Sequence, residues 1–460
     1  MKKIFIVIVT IVSLPMSART TPLSLRGGAG RETVGSYTLE QILDSARQNN
    51  IAVRTANYNI EAAQQQRKEA FTKYFPNVNA TGLWFNANKD MAKMTVNPSE
   101  MLSPQVATGL AQSLPASALM ALSSPVSISM LKNGILGTVT AVQPVFAGGQ
   151  IVNGNRLAKV GEDVSRLQLQ LSENEVEKTA EQYFWQLASL QEKLKTIQAS
   201  EELLSDIYKD VDVAVRAGVA MPNDMLQVQL RQNEVESMKL KLQNGLSLVR
   251  LLLSQYCGLR DTSFVITYQT EEPSPLTVQQ DPQQALVGTA EYQLLDKQVE
   301  AAKLQHKMAI GQNLPTIGVG VGYNYHNLFD NDRSFGMVFA TVNVPISDWW
   351  GGSHAIKRKK IEQWKAVDQL NDNSQLLKIR MQNAWNGVQE SYQQLTIAQR
   401  SIEQAEENLR LNRNYYKAGT SKMSDLLQAQ LLFQQMHDKY TDAFSDYQNK
   451  LLEYKHAIGQ

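Results

Sequence analysis

The sequence predicts a mainly α-helical chain that also contributes strands to a membrane β-barrel, built from two internal repeats. Three observations carry this. Long stretches lack proline and nearly lack glycine, with no proline between Pro144 and Pro222 or after Pro345. Segments bounded by prolines alternate with period two instead of helical period. Motifs from the first half also recur in the second at matched offsets.

Residues 1–18 have Lys2 and Lys3, then an apolar stretch from Ile4 to Val12, then Ser17 and Ala18. That order reads as a secretory signal peptide, with a permanent N-terminal anchor as the alternative. Its removal takes the net charge from +1 to −1. No cysteine follows the apolar stretch, so the N-terminus offers no thiol for lipid attachment.

The first repeat is expected over 19–258, an inter-repeat linker over 259–282 and the second repeat over 283–460. Ile60-Glu61-Ala62-Ala63 runs into Phe75-Pro76 as Val299-Glu300-Ala301-Ala302 runs into Leu314-Pro315. Val142-Gln143-Pro144-Val145 precedes Gly148-Gly149 as Asn343-Val344-Pro345-Ile346 precedes Gly351-Gly352. Ala217-Gly218 with Asp224 mirrors Ala418-Gly419 with Asp425. Each unit reads helix, strand, strand, long helix, turn, helix. Leu187, Leu190, Leu194, Ile197, Leu204, Ile207 and Val211 recur at coiled-coil spacing. Each long helix of about 65 residues spans about 100 Å at ~1.5 Å per residue, more than an ordinary globular core.

Strands are expected near 77–87, 135–145, 317–325 and 335–345. In the third, Ile317, Val319, Val321, Tyr323 and Tyr325 face one way and Gly318, Gly320, Gly322 and Asn324 the other. Bulky apolar residues opposite small or polar ones suit a wall between lipid and lumen; an edge strand of a soluble sheet is the alternative. Four strands cannot close a barrel, and an open edge cannot sit in lipid. Two chains would give eight strands and three would give twelve. Trp349 and Trp350 are candidate membrane-interface anchors, followed by the basic run 357–360; packed tryptophans at a solvated helix start are the other reading.

Pro76 and Pro144 lie 68 residues apart, Pro315 and Pro345 only 30, so the first repeat carries a long loop over about 88–132. Met91, Met94, Met101, Met120 and Met130 within it read as gap-filling apolar residues before soft-metal ligands.

Composition excludes several function classes. With 45 basic and 44 acidic residues there is no cationic excess for nucleic acid. A single cysteine, Cys257, excludes an internal disulfide and any multi-cysteine metal site. The five histidines are scattered, and no nucleotide-binding or nucleophile motif is present. The expectation is a non-enzyme with no cofactor and no metal.

In order and twice over, these residues resemble the TolC-like outer membrane efflux protein family. The carriers are Phe75-Pro76 and Leu314-Pro315, Q-P-V-F-x-G-G at 143–149, V-P-I-S-D-W-W-G-G at 344–352, and the A-G-x(5)-D-x-L-Q turns at 217–227 and 418–428. The resemblance implies a homotrimer whose twelve strands form one outer membrane barrel, continued by a helical barrel through the periplasm. It implies a passive exit duct for small molecules, docking with a periplasmic adaptor and an inner membrane transporter. Type I protein secretion is the alternative duct, and a soluble periplasmic coiled-coil adaptor a more distant one. The loop at 88–132 would be extracellular. Asp425 matches an inward aspartate at the family's periplasmic aperture, and Asp224 is its first-repeat equivalent. Gln428 stands where a second carboxylate occurs in the family, a departure from a double acidic ring. Asp224 and Asp425 also suit helix capping, helped by Asn223 and Ser424.

Overall fold

The computed structural model describes residues 35–460 apart from 90, 98–100, 104, 107–114, 116, 119, 121–123, 131–132, 269–273 and 329–330. The signal-peptide reading of 1–18 lies outside the described residues.

A two-residue strand β1 (Ser36–Tyr37) leads into α1 (Leu39–Asn49). Thr38 and Gln41 form a capping box at its start, satisfying two otherwise unpaired backbone donors. Asn50 caps α2 (Ile51–Thr72), which delivers the chain to β2 (Asn77–Asn86). After β5 (Asn133–Ala147) come α3 (Gln150–Arg216) and α4 (Pro222–Cys257). A linker with β6 (Val265–Ile266), paired in parallel with β1, and a short helix α5 (Pro282–Leu286) follow. Then come α6 (Ala290–Gln312), β7 (Thr316–Leu328), β8 (Asn331–Asn343), α7 (Asp348–Lys417) and α8 (Met423–Ala457). The two long helices have 67 and 70 residues, as the missing prolines and glycines require.

Strands β2, β5, β7 and β8 form one antiparallel sheet in that order, leaving β2 and β8 as its edges. The helices continue the same order: α2 packs on α3, α3 on α6, and α6 on α7. The wall of strands therefore runs into a wall of helices. α4 and α8 pair with α3 and α7 to complete two long hairpins. One core gathers α1, the middles of the long helices and the linker around Phe184, Leu253, Phe264 and Leu395. A second, nearer the hairpin ends, is built on Leu204, Val211, Val228, Val235 and Leu426.

The alternation of β7 is realised. Gly318, Gly320 and Gly322 are buried, whereas Ile317, Val319, Val321, Tyr323 and Tyr325 are exposed. Gly320 leaves no free room for a side chain, because a Cβ there would lie 2.5 Å from the Phe339 ring of β8 and force it to shift. The register aligns Val78, Ala141, Val321 and Val338 on the apolar face, with Val338 84% exposed. On the opposite face the Thr138 hydroxyl donates to the Asn324 side-chain oxygen at 2.9 Å.

Three expectations need correction. The 88–132 insertion is not only loop, since β3 (Ala92–Val96) and β4 (Val126–Met130) pair antiparallel within it. The β-branched residues of V-S-I-S and T-V supply strand propensity that the surrounding prolines disguise. Met91, Met101 and Met120 are also exposed, so they fill no gap within the chain. Strand β8 ends at Asn343, before the expected 345, because Pro345 has no amide to offer the ladder.

Candidate functional site

Two glycine turns close the hairpins. Gly218 (φ 75°) and Gly419 (φ 71°) adopt the left-handed conformation that glycine reaches without strain. The Val219 amide donates back to the Ala214 carbonyl at 2.9 Å, and Thr420 to Tyr415 at 2.9 Å. The turns lie together and, with the adjoining helix ends, line a cleft of ≈1160 Å³ that includes Asp210, Asp224, Tyr416 and Lys417. Gly218, Gly419 and Asp224 are thus brought to one place. Asp425 and Gln428 lie outside the cleft wall, and both are exposed.

Both aspartates cap their helices. The Met221 amide donates to Asp224 Oδ2 at 3.3 Å, and the Lys422 amide to Asp425 Oδ2 at 3.3 Å. Ser424 Oγ donates to Asp425 Oδ1 at 3.3 Å, the assistance its position suggested. Because Asp425 caps from an exposed position, its carboxylate still presents charge to water.

Around the turns the structure adds residues that sequence reasoning passed over. Lys417 Nζ of α7 pairs with Asp210 Oδ2 of α3 at 3.2 Å, tying one hairpin to the other. The Tyr416 hydroxyl is buried without a hydrogen-bond partner, and burial, then the nearby Asp224 charge, raises its pKa. Farther up, Arg231 of α4 is buried against Gln430 and Gln434 of α8. Val228, Arg231 and Val235 share a stripe at helical spacing, so a cation in an apolar slot was the available signal.

At the other end of the helices, Pro144 sits at a β-bulge where the β5–β7 register shifts. Gly148 (φ 58°) and Gly149 (φ 75°) turn the chain into α3. Gly148 lies against the Gly311 carbonyl of α6, too close for any side chain. Gly352 lies equally close to the Asn313 side chain, whereas Gly351 faces open space. Pro345 starts the turn into α7, its carbonyl accepting from the Asp348 amide at 3.1 Å. Trp349 and Trp350 are exposed at the start of α7, and Trp349 Nε1 donates to the Asn313 carbonyl at 3.0 Å.

Among the described residues, no cluster of three or more histidine, cysteine, aspartate or glutamate side chains has metal-binding spacing. Cys257 is buried, and burial pushes its thiol up to about 12, which leaves it protonated and inert. Among the same residues, no helix is long and apolar enough to cross a membrane.

Residues 282–460 match the family model described as outer membrane efflux protein. That match lies in the second half of the chain, and it makes this segment similar to the outer membrane efflux proteins. The fold of the chain as a whole is that of solved outer membrane channels. It superposes on the outer membrane protein VceC from Vibrio cholerae with a TM-score of 0.70 at 16% identity, covering 92% of this chain and 96% of that one. The Campylobacter jejuni CmeC outer membrane channel gives 0.73 at 14% identity, covering 92% and 85%. The open state of the Neisseria gonorrhoeae MtrE outer membrane channel gives 0.68 at 14%, covering 92% and 88%. No curated protein sequence matches the chain.

Proposed function

We propose that three copies of this chain close a twelve-stranded outer membrane barrel with a helical extension through the periplasm. The assembly acts as the passive exit duct of a tripartite pump, taking small molecules from an inner membrane transporter through a periplasmic adaptor. The observation that carries this reading is the pair of free edges. Strands β2 and β8 each have one unpaired side, and the sheet carries a broad apolar face. Unpaired backbone amides are not tolerated in lipid, so β2 of one copy pairs with β8 of the next. The edge helices support it: Ile51 and Tyr58 on α2, and Trp364, Leu376 and Ile379 on α7, are exposed apolar residues suited to a contact between copies.

In this reading the two turns form the periplasmic mouth. Asp425 supplies a ring of three negative charges, with Gln428 one turn along and Asp224 behind it in the cleft. Such a ring favours cations and retards anions. Trp349 and Trp350 anchor the barrel at the membrane interface. Loss of the protein is expected to raise sensitivity to small toxic compounds and to increase retention of a fluorescent dye. A deletion strain with unchanged sensitivity but blocked export of a protein would overturn the small-molecule reading.

A further inference from the structure

Below the sheet, α2 and α3 enclose a groove of ≈670 Å³ whose wall combines Phe71, Tyr74 and Val152 with Lys68, Arg156 and Lys159. Arg156 and Lys159 also line the next groove, between α3 and α6, where Lys303 and Lys307 join them. The carboxylates of both grooves are already engaged. Glu162 accepts from Arg67 and Arg166, each at 2.9 Å. Asp163 and Glu300 both hold Lys297 at 3.0 Å. Lys68, Arg156, Lys159, Lys303 and Lys307 have no ion-pair partner among the described residues, and all five are exposed.

Position supplies the rest. These cations lie four to nine residues from the sheet-proximal ends of their helices. At ~1.5 Å per residue that is roughly 6–14 Å beyond the sheet, starting within a headgroup layer of about 5–8 Å and ending a few ångströms past it, within reach of a long Lys or Arg side chain. The end of the groove nearer the sheet is apolar and aromatic, with Phe71 edge-on to Phe75. Gln143, which lies opposite Val319 on the apolar sheet face, donates to the Tyr74 carbonyl at 3.0 Å. The groove therefore grades from apolar near the lipid-facing side of the sheet to cationic below it. That is the polarity of a phospholipid and not of a free anion.

We propose that this groove binds an anionic phospholipid of the periplasmic leaflet, with its phosphate on Lys68, Arg156 and Lys159 and its acyl chain along Phe71 and Val152. The inference rests on the barrel reading above. The test uses the full-length assembly in phosphatidylcholine nanodiscs with or without phosphatidylglycerol, and native mass spectrometry to count retained lipid. Phosphatidylglycerol is expected to remain on the wild type and to be held about a hundredfold more weakly by Lys68→Gln/Arg156→Gln/Lys159→Gln, if each cation contributes as a juxtamembrane charge does. Equal retention by an inserted variant of unchanged oligomeric state would overturn the proposal and leave the channel reading standing. Displacement of the lipid by inorganic phosphate at equal concentration would also overturn it, pointing to a site for a soluble anion. So would a Lys159→Cys thiol that stays unreactive in the assembly, since another subunit would then cover the groove. Failure to insert into any nanodisc would overturn both readings.

Discussion

Arg231 of α4 donates through Nε to the Gln430 side-chain oxygen of α8 at 2.8 Å, and both side chains are buried. Its other nitrogens reach Gln434 at 3.1 Å and Glu234 at 2.8 Å, so the charge is offset by one carboxylate at the rim. One guanidinium thus joins two helices that are 199 residues apart in sequence at this bond. Replacing it by methionine leaves two buried amide oxygens without donors. Arg231→Met is expected to destabilise the assembly by about 2–4 kcal/mol, and Arg231→Met/Gln430→Leu to recover part of that loss. Thermal unfolding of the purified protein checks it; an unchanged midpoint for Arg231→Met would show that the network contributes nothing net.

Capping and pore charge at Asp425 can be separated by substitution. Asparagine keeps an oxygen for the Lys422 amide and removes the charge, so Asp425→Asn is expected to raise single-channel conductance or weaken cation preference with little change in stability. Asp425→Ala removes the cap as well and costs about 1 kcal/mol. A current–voltage curve for Asp425→Asn that overlays the wild type would remove the gate role and leave only the cap.

His456, near the end of α8, has its pKa lowered first by burial; Glu177, Glu175 and Glu291 pull it up and Lys178 pulls it down. A partly buried histidine whose pKa is lowered binds fewer protons in the folded chain than in the unfolded one. Its contribution is therefore intact above the ordinary histidine value of about 6.5 and is lost as pH falls below that. Glu181 and Asp438, raised mainly by burial, act in the opposite sense, with stability lost as pH rises through the carboxylate range. His456→Gln should flatten the decline in melting temperature just below pH ~6.5. Parallel wild-type and variant curves would contradict this.

The paired glycines at the start of α7 differ in what they face. Gly351→Ala meets nothing and should be neutral or stabilising by up to about 1 kcal/mol, the helix-propensity difference. Gly352→Ala collides with the Asn313 side chain and should lower assembly yield and melting temperature. Equal behaviour of the two variants would mean that the α6–α7 junction relaxes freely.

Much of this architecture is legible in the sequence because it rests on periodicity. Ile317 to Tyr325 alternate without a break, and the glycines opposite them mark where Phe339 and its neighbours press close. Residues 150–216 lack the prolines that would interrupt a helix, and Gly218 and Gly419 mark the ends of the long helices. The insertion strands β3 and β4 were hidden because each is only five residues long and proline-rich sequence surrounds them. The Arg231–Gln430 and Lys417–Asp210 contacts were hidden for a different reason. They join residues about 200 positions apart, and only the packing of one hairpin on the other brings them together.

If this chain is one third of a closed barrel, as proposed, the native mass of the assembly extracted from outer membranes shows it most directly. Three copies per detergent-solubilised particle, absent from the soluble periplasmic fraction, is the predicted result. A soluble monomer, or a particle of two copies, would contradict it.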